Sequence, residues 1–496
     1  MAIQESDRVA IIGAGVSGLA TCHALHQKGV ECVVLEEKTR AGGLWVDNYY
    51  NAHVQTPKFL YEYPELRFPE DVGGFPTMTQ VTDYLDEFID QSGIRGQLRF
   101  GASVQTARQL ADSRWELEIE DVKTGQKALE EYGYLVVCSG MFSRIPHRAE
   151  MKRQKEFAGE ILHSSEYRSL EIFSGKKVVV VGSGKSGIDT VVSACSVSDN
   201  VVQIARTRMW TVPESLFGIP LAPLFFGRAV SLVLPPYYRT PTYAKWIHWF
   251  FIPFKWLTFK LMEAGMLVQS RIPFRAWPDV SLQHVLFTVG ATVTDRKYMS
   301  AIRKRRFDLE HTTIEYVTAN SVVLANGRTV EADVIVLATG WKYDFPIFEK
   351  DTVERLRPEQ DGLYMYKNMI PVNVERLAFI GSNTSTYTNP FTASVQSIWL
   401  AQLIAGDRTL PSLSDMEDEV SRMKEFKRKY YPGGNRATVF GAHGNFYHDD
   451  LIREMGIRPR RGKGIRSWFS YWFKPNYPRT WKGIMEEAHK NRALSA

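Results

Sequence analysis

The stretch VVVVGSGKSGID, Val178 to Asp189, runs four valines into a glycine-rich turn and then into a helix-like segment. A short apolar run of this kind suits a strand buried on both faces. Gly182, Gly184 and Gly187 follow in GxGxxG spacing, with Ser183, Lys185 and Ser186 between them. In that spacing the first glycine permits a tight turn and the second lets the backbone approach a pyrophosphate. The third lets the helix pack close to the strand, with its N-terminal N–H groups toward the anion. The chain opens on the same device: VAIIGAGVSGLA, Val9 to Ala20, carries Gly13, Gly15 and Gly18, with Ser17 before the last glycine. A lone GxGxxG is a weak signal, so the context has to carry the reading.

Both contexts are present. After the first turn come a helix-like stretch and a second strand, ECVVLE, which ends in Glu36, placed to accept hydrogen bonds from an adenosine ribose. After the second turn the matching strand, NVVQIAR, ends in Arg206, with Arg208 just beyond. The register is the same and the charge is reversed. A guanidinium grips a 2′-phosphate that a carboxylate would repel. The first unit therefore suits FAD and the second NADPH, with Lys185 as a helper.

Two returning strands, in YGYLVVCSGMFSRIP (Tyr132 to Pro146) and EADVIVLATGW (Glu331 to Trp341), imply nesting. The expectation is an α/β fold with two nested, three-layer Rossmann-like dinucleotide-binding domains, the NADPH domain inserted in a split FAD domain. The FAD parts are expected at residues 1–170 and 336–496 and the NADPH domain at 171–335, with an aromatic-rich insertion at about 210–277 and a basic, aromatic C-terminal tail.

Composition narrows the function. Of 496 residues, 44% are hydrophobic and 23% charged, an ordinary globular balance, and the net charge of +6 is too small to argue for nucleic acid. Cys22, Cys32, Cys138 and Cys195 are scattered without a CxxC pair, so no disulfide framework, metal site or redox dithiol is expected. The polar start MAIQESD leaves no room for a signal peptide, and the expected setting is the cytoplasm or a membrane face bordering it. No reading of oligomeric state follows from the sequence.

Ahead of the second turn, EFAGEILHSSEYRS places Phe157, Gly159, His163 and Tyr167 in FxGxxxHxxxY spacing. Here the sequence resembles the class B flavin monooxygenases, the flavin-containing monooxygenase family, and the resemblance extends over nearly the whole chain. GGLW (Gly42 to Trp45) is similar to the family's flavin-contacting turn, which implies flavin-side roles for Gly43, Leu44 and Trp45. ATGW, ending in Trp341, resembles its ATGY element, and PFTASVQSIWLA, with Gln396, its C-terminal flavin-side helix. VQTPKFLYEYPELRFPED looks most like the plant-type and microbial N-hydroxylating branch. Gln55 stands where many animal members carry an asparagine near the flavin, and its amide can still donate, which makes it the candidate catalytic residue. Arg168 after Tyr167 departs from the Trp-ending fingerprint of Baeyer–Villiger relatives. The bland reading of His163 is a packed histidine that couples the domains.

The resemblance implies NADPH- and O2-dependent insertion of one oxygen atom into a small organic substrate through C4a-hydroperoxyflavin, at a nucleophilic nitrogen or sulfur. Ketone oxygenation of the Baeyer–Villiger type, and an NADPH oxidase or reductase without oxygen insertion, are the alternatives. The insertion between Trp210 and Trp277 mixes tryptophan, phenylalanine, proline and lysine without an unbroken apolar span. A substrate lid, an interfacial membrane anchor and ordinary packing all remain open for it.

Overall fold

The computed structural model of the chain describes residues 8–141, 145–286, 292–293, 296–431, 434 and 436–493. The polar start MAIQESD, on which the expectation of no signal peptide rests, lies outside them. The architecture is mixed α/β, built around two five-stranded parallel sheets.

In the first sheet the order is Leu377–Phe379, Tyr134–Val137, Val9–Ile12, Cys32–Glu36 and Leu98–Phe100. Strand Val9–Ile12 is buried on both faces, and its side chains alternate between two cores. Val9 and Ile11 face the helices Val16–Gln27 and Asn389–Ile404, which pack on each other, with Thr21 and Ser397 hydroxyls 3.0 Å apart. Ala10 and Ile12 face an antiparallel layer of Ala102–Gln109, Trp115–Asp121 and Lys127–Tyr132, through Val104, Trp115 and Leu117.

The second sheet repeats the plan, in the order Asp308–Glu310, Val201–Ile204, Val178–Val181, Val334–Leu337 and Glu160–His163. Val178 and Val180 pack toward helices Lys185–Ala194 and Arg296–Arg303, and Val179 toward the meander Ile314–Val317, Ser321–Leu324 and Thr329–Glu331. Each unit is therefore a sandwich of helices, parallel sheet and antiparallel layer. Strand Leu377–Phe379 follows the whole second unit in sequence yet lies in the first sheet, so the second unit is nested in the first. The fingerprint strand Glu160–His163 lies in the second sheet, ahead of the expected boundary after residue 170, because its main chain pairs with Val334–Leu337.

Candidate functional site

Both glycine turns open onto one cavity of about 660 Å3. The glycines divide by role. A Cβ at Gly18 would overlap the Gly13 carbonyl oxygen, and one at Gly187 the Gly182 carbonyl oxygen, so the protein's own packing excludes a side chain at each third position. Gly13 and Gly182 adopt φ of 100° and 130°, which L side chains rarely reach. The second glycines differ. Gly15 and Gly184 have ordinary extended backbone (φ −80° and −75°). A Cβ at Gly184 would meet nothing within 4 Å, and one at Gly15 only the Gly43 backbone, at an ordinary 3.6 Å from Cα and 3.9 Å from N. Nothing in the protein demands glycine there, and both residues line the cavity. Each is the N-cap of its helix, with no side-chain cap and no acidic residue in the first turn, which leaves helix N-termini disposed to take an anion.

Glu36 is buried at the cavity wall, its carboxylate accepting from the N–H of Ala14 (2.7 Å) and of Lys38 (3.0 Å). Burial raises its pKa, and the two N–H donors partly offset that. The remaining lone pairs can take ribose hydroxyls. Gly43, Leu44 and Trp45 form a single 3-10 turn beside Gly15, and Trp45 Nε1 donates to the Tyr61 hydroxyl at 2.9 Å. Gln396, on the buried helix Asn389–Ile404, donates to Thr384 (3.0 Å) and Tyr447 (2.6 Å), while its Oε1 is buried without a partner. Such an orphaned acceptor beside the cavity fits a ligand N–H. Half-buried Gln55 also lines the cavity, and among the described residues its amide makes no hydrogen bond, including to the turn before Pro57. Ser17 and Trp341 complete the predicted residues on the wall of this half.

In the second unit Gly184, Lys185 and Ser186 reach the cavity. Lys185 is not free: its ammonium lies 2.5 Å from both oxygens of Asp189, which also accepts from the Tyr49 hydroxyl at 2.8 Å. Ser183 donates to the Thr207 carbonyl at 2.9 Å and borders a separate small hollow with Arg208. Arg208 is held by Asp279 in an ion pair, reinforced by the Arg208 N–H to Asp279 at 2.9 Å and by Nη1 to the Arg275 carbonyl at 2.9 Å. Arg208, by its hydrogen bonds, depresses the Asp279 carboxyl to about 2. Arg206 is exposed, and its guanidinium has no side-chain partner among the described residues. The two arginines are thus unequal: one is built into the fold and the other is uncommitted.

His163 and Tyr167 pack at the junction of the units, Phe157 and Gly159 lie within the second unit, and none of the four lines the cavity. His163 is buried, with Nδ1 2.8 Å from the Ser165 hydroxyl, Nε2 3.0 Å from the Gly340 carbonyl, and its ring edge-on to Trp341 at 5.2 Å. Burial lowers its pKa, which suits a neutral ring that bridges two loops. Tyr167 stacks with Tyr49 and accepts from Thr190 at 3.3 Å. A Cβ at Gly159 would strike both the Asp333 carbonyl oxygen and the Phe157 ring.

One wall comes from residues that the sequence does not single out individually, although a lid is among the readings of the insertion. Phe225 and Phe226 of the insertion line the cavity together with Val285 and Tyr387. Phe226 stacks on Tyr387 at 4.5 Å, and Asn445 ties them, donating to the Phe226 carbonyl (2.8 Å) and accepting from the Tyr387 hydroxyl. Among the described residues no group of His, Cys, Asp and Glu could hold a metal ion, and the four cysteines are free and buried.

Residues 6–247 and 304–462 match the family described as flavin-binding monooxygenase-like. Flavin-containing monooxygenase 3 of Canis lupus familiaris is 25% identical over 91% of this chain and 83% of its own length. The S-allyl-L-cysteine S-oxygenase of Allium sativum superposes with a TM-score of 0.64 at 20% identity, covering 98% of this chain and 93% of its own. Cyclohexanone monooxygenase from Rhodococcus sp. Phi1, bound to NADP+, gives a TM-score of 0.65 at 18% identity, over 91% and 98% of the two chains.

Proposed function

The chain belongs to the flavin-binding monooxygenase-like family, and from that premise we propose that it is an NADPH- and O2-dependent FAD monooxygenase that oxygenates a nucleophilic nitrogen or sulfur of a small organic substrate. The observation that carries this reading is that Gly15 and Gly184, the two glycines the protein does not need for itself, face the same cavity. Two dinucleotides held there would meet. The bound flavin supplies the redox chemistry and, once reduced by NADPH, the activation of O2.

The chain's own residues would do the rest. The helix start at Gly15, Glu36 and the Gly43–Trp45 turn would hold FAD, and Gln396 Oε1 would accept from it. The helix start at Gly184 and the side chain of Arg206 would hold NADPH. His163 and Tyr167 would keep the two units in register. Phe225, Phe226, Val285 and Tyr387 would keep the substrate end dry, which strengthens every polar contact inside it.

Attack on a ketone carbon calls for an anionic oxidant with a cation beside it. The lysines on the cavity wall are engaged, Lys185 by Asp189 and Lys38 by the Gly43 carbonyl at 3.2 Å. A neutral donor at Gln55 favours nitrogen or sulfur oxygenation. Products from an amine, a sulfide and a ketone with NADPH under 18O2 test this. A labelled N-oxide, hydroxylamine or sulfoxide supports the proposal. A labelled ester points to Baeyer–Villiger chemistry, and peroxide alone to an oxidase.

Two variants probe the assignments. Arg206→Ala should weaken NADPH binding by about 1.5–3 kcal/mol, the worth of a charge-assisted hydrogen bond, and leave NADH unchanged. Arg208→Ala should instead lower stability, by releasing Asp279 from its pair. Equal losses for NADPH and NADH in Arg206→Ala would remove the 2′-phosphate role. Gln55→Leu should keep FAD content and melting temperature. Losing one donor worth about 1–3 kcal/mol should lower oxygenated product per NADPH several-fold, with hydrogen peroxide rising to match. Unchanged coupling in a folded variant would reject Gln55.

Peripheral contact with a membrane belongs to the same reading. No helix among the described residues is long and apolar enough to cross one.

A further inference from the structure

We propose that the paired helices Thr242–Phe250 and Ile252–Ser270, with the tail helix Gly464–Phe473, form a docking face for an anionic lipid bilayer, from which apolar substrate passes to the cavity. The passage of substrate rests on the oxygenase reading above; the docking does not.

The first two helices turn their largest side chains outward: Trp246 and Trp249 are each 68% exposed and Trp256 66%. Phe250, Phe254 and Leu261 are exposed beside them. The tail helix has no buried residue and exposes Ile465, Trp468, Phe469 and Phe473. Apolar groups scattered singly on a surface need no explanation, but clusters of this size mark an interaction site. The 3-10 segment Arg228–Val233 packs against all three helices, and Gly227 pairs with Pro475, so the two clusters share one support.

Charge identifies the occupant. Lys245 is exposed and Lys255 half-buried among the tryptophans, while Lys260 donates to Glu263 at 2.7 Å; Arg460, Lys463, Arg466 and Lys474 surround the tail helix. From Met455 to Lys482 the chain has no Asp or Glu. Between Tyr237 and Arg275 the sole acid is Glu263, which is buried and accepts from the Leu282 N–H at 2.8 Å. Tryptophan at headgroup depth, with lysine reaching phosphate, is the chemistry of an interfacial helix. Protein interfaces are instead depleted in lysine. Residues 248–303 and those beyond 462 fall outside the family match.

The face also adjoins the cavity. Helix Leu221–Phe226 packs on Arg228–Val233 and contributes Phe225 and Phe226 to the cavity wall. A compound dissolved in the bilayer would have a short apolar path inward.

The test is co-sedimentation of the purified holoprotein with vesicles of phosphatidylcholine alone or mixed with phosphatidylserine. Binding should appear with the mixed vesicles and weaken with added salt. Trp246→Ser/Trp249→Ser/Trp256→Ser should weaken it at least about tenfold, with colour and NADPH consumption on a water-soluble substrate retained. Lys463→Gln/Arg466→Gln should weaken only the phosphatidylserine-dependent part. Equal sedimentation of wild type and the tryptophan variant would overturn the proposal. So would no vesicle binding accompanied by concentration-dependent self-association on gel filtration, which would make the face a contact between copies. Lack of oxygenated product with vesicle binding intact would sink the oxygenase reading and leave the docking standing.

Discussion

Gly184→Val yields a folded, yellow protein that NADPH barely reduces. The backbone at Gly184 tolerates any residue, and a Cβ there meets no protein atom within 4 Å, so folding and FAD content should hold. The branched side chain instead occupies the space the pyrophosphate needs. Overpacking a well-fitted site costs about 1–3 kcal/mol, which raises the Kd for NADPH by about 5- to 150-fold. Gly15→Val is the matched control and should purify colourless, because its side chain would occupy the cavity wall where the FAD pyrophosphate must approach. Absorbance of the flavin on purification and on anaerobic addition of NADPH reads both. Normal reduction of a yellow Gly184→Val protein would refute the second dinucleotide site.

Asp449→Leu is expected to cost about 3–5 kcal/mol of stability, because it strands a buried guanidinium. Asp449 is fully buried and Arg228 is 3% exposed, with contacts of 2.5 and 2.9 Å between them. The Tyr471 hydroxyl donates to Asp449 at 2.6 Å, and its ring lies 4.0 Å from the Arg228 guanidinium carbon. This cluster joins the insertion, the helix Gly444–Glu454 and the tail helix. Replacing both charges, Arg228→Met/Asp449→Leu, should recover most of the loss, since the desolvation of two ions disappears along with their attraction. Denaturant unfolding of the two variants measures it. A single variant as stable as the double would mean that the pair is not buried in solution.

What the sequence disclosed was whatever short-range geometry fixes. Valine runs and glycine spacing sufficed for the two parallel-sheet units, because a tight turn after a doubly buried strand leaves few other residue choices. The place of Glu36 on the cavity wall was legible because it follows from the length of one strand–helix–strand unit. Partners distant in sequence were not. Arg208 is equivalent to Arg206 in the sequence, but Asp279, just past the insertion, claims its guanidinium. Lys185 carried a local sign that went unread: Asp189 stands four residues on, the spacing of a helical ion pair. The individual residues of the wall, Phe225, Phe226, Val285 and Tyr387, could not be picked out, since aromatic composition does not say which face of a helix is covered. The same ambiguity left the insertion between lid, anchor and packing.

The empty space beside Gly184 also bears on how such a chain can drift. Gly182 and Gly187 are held by backbone angle and by a carbonyl oxygen in the next turn, whatever the protein binds. Nothing in the protein holds Gly184, so on the proposed reading only the bound dinucleotide would. A descendant that ceased to use the second dinucleotide would be released at Gly184 and stay bound at the other two. Across a lineage, the middle glycine therefore records use, while its neighbours record only descent.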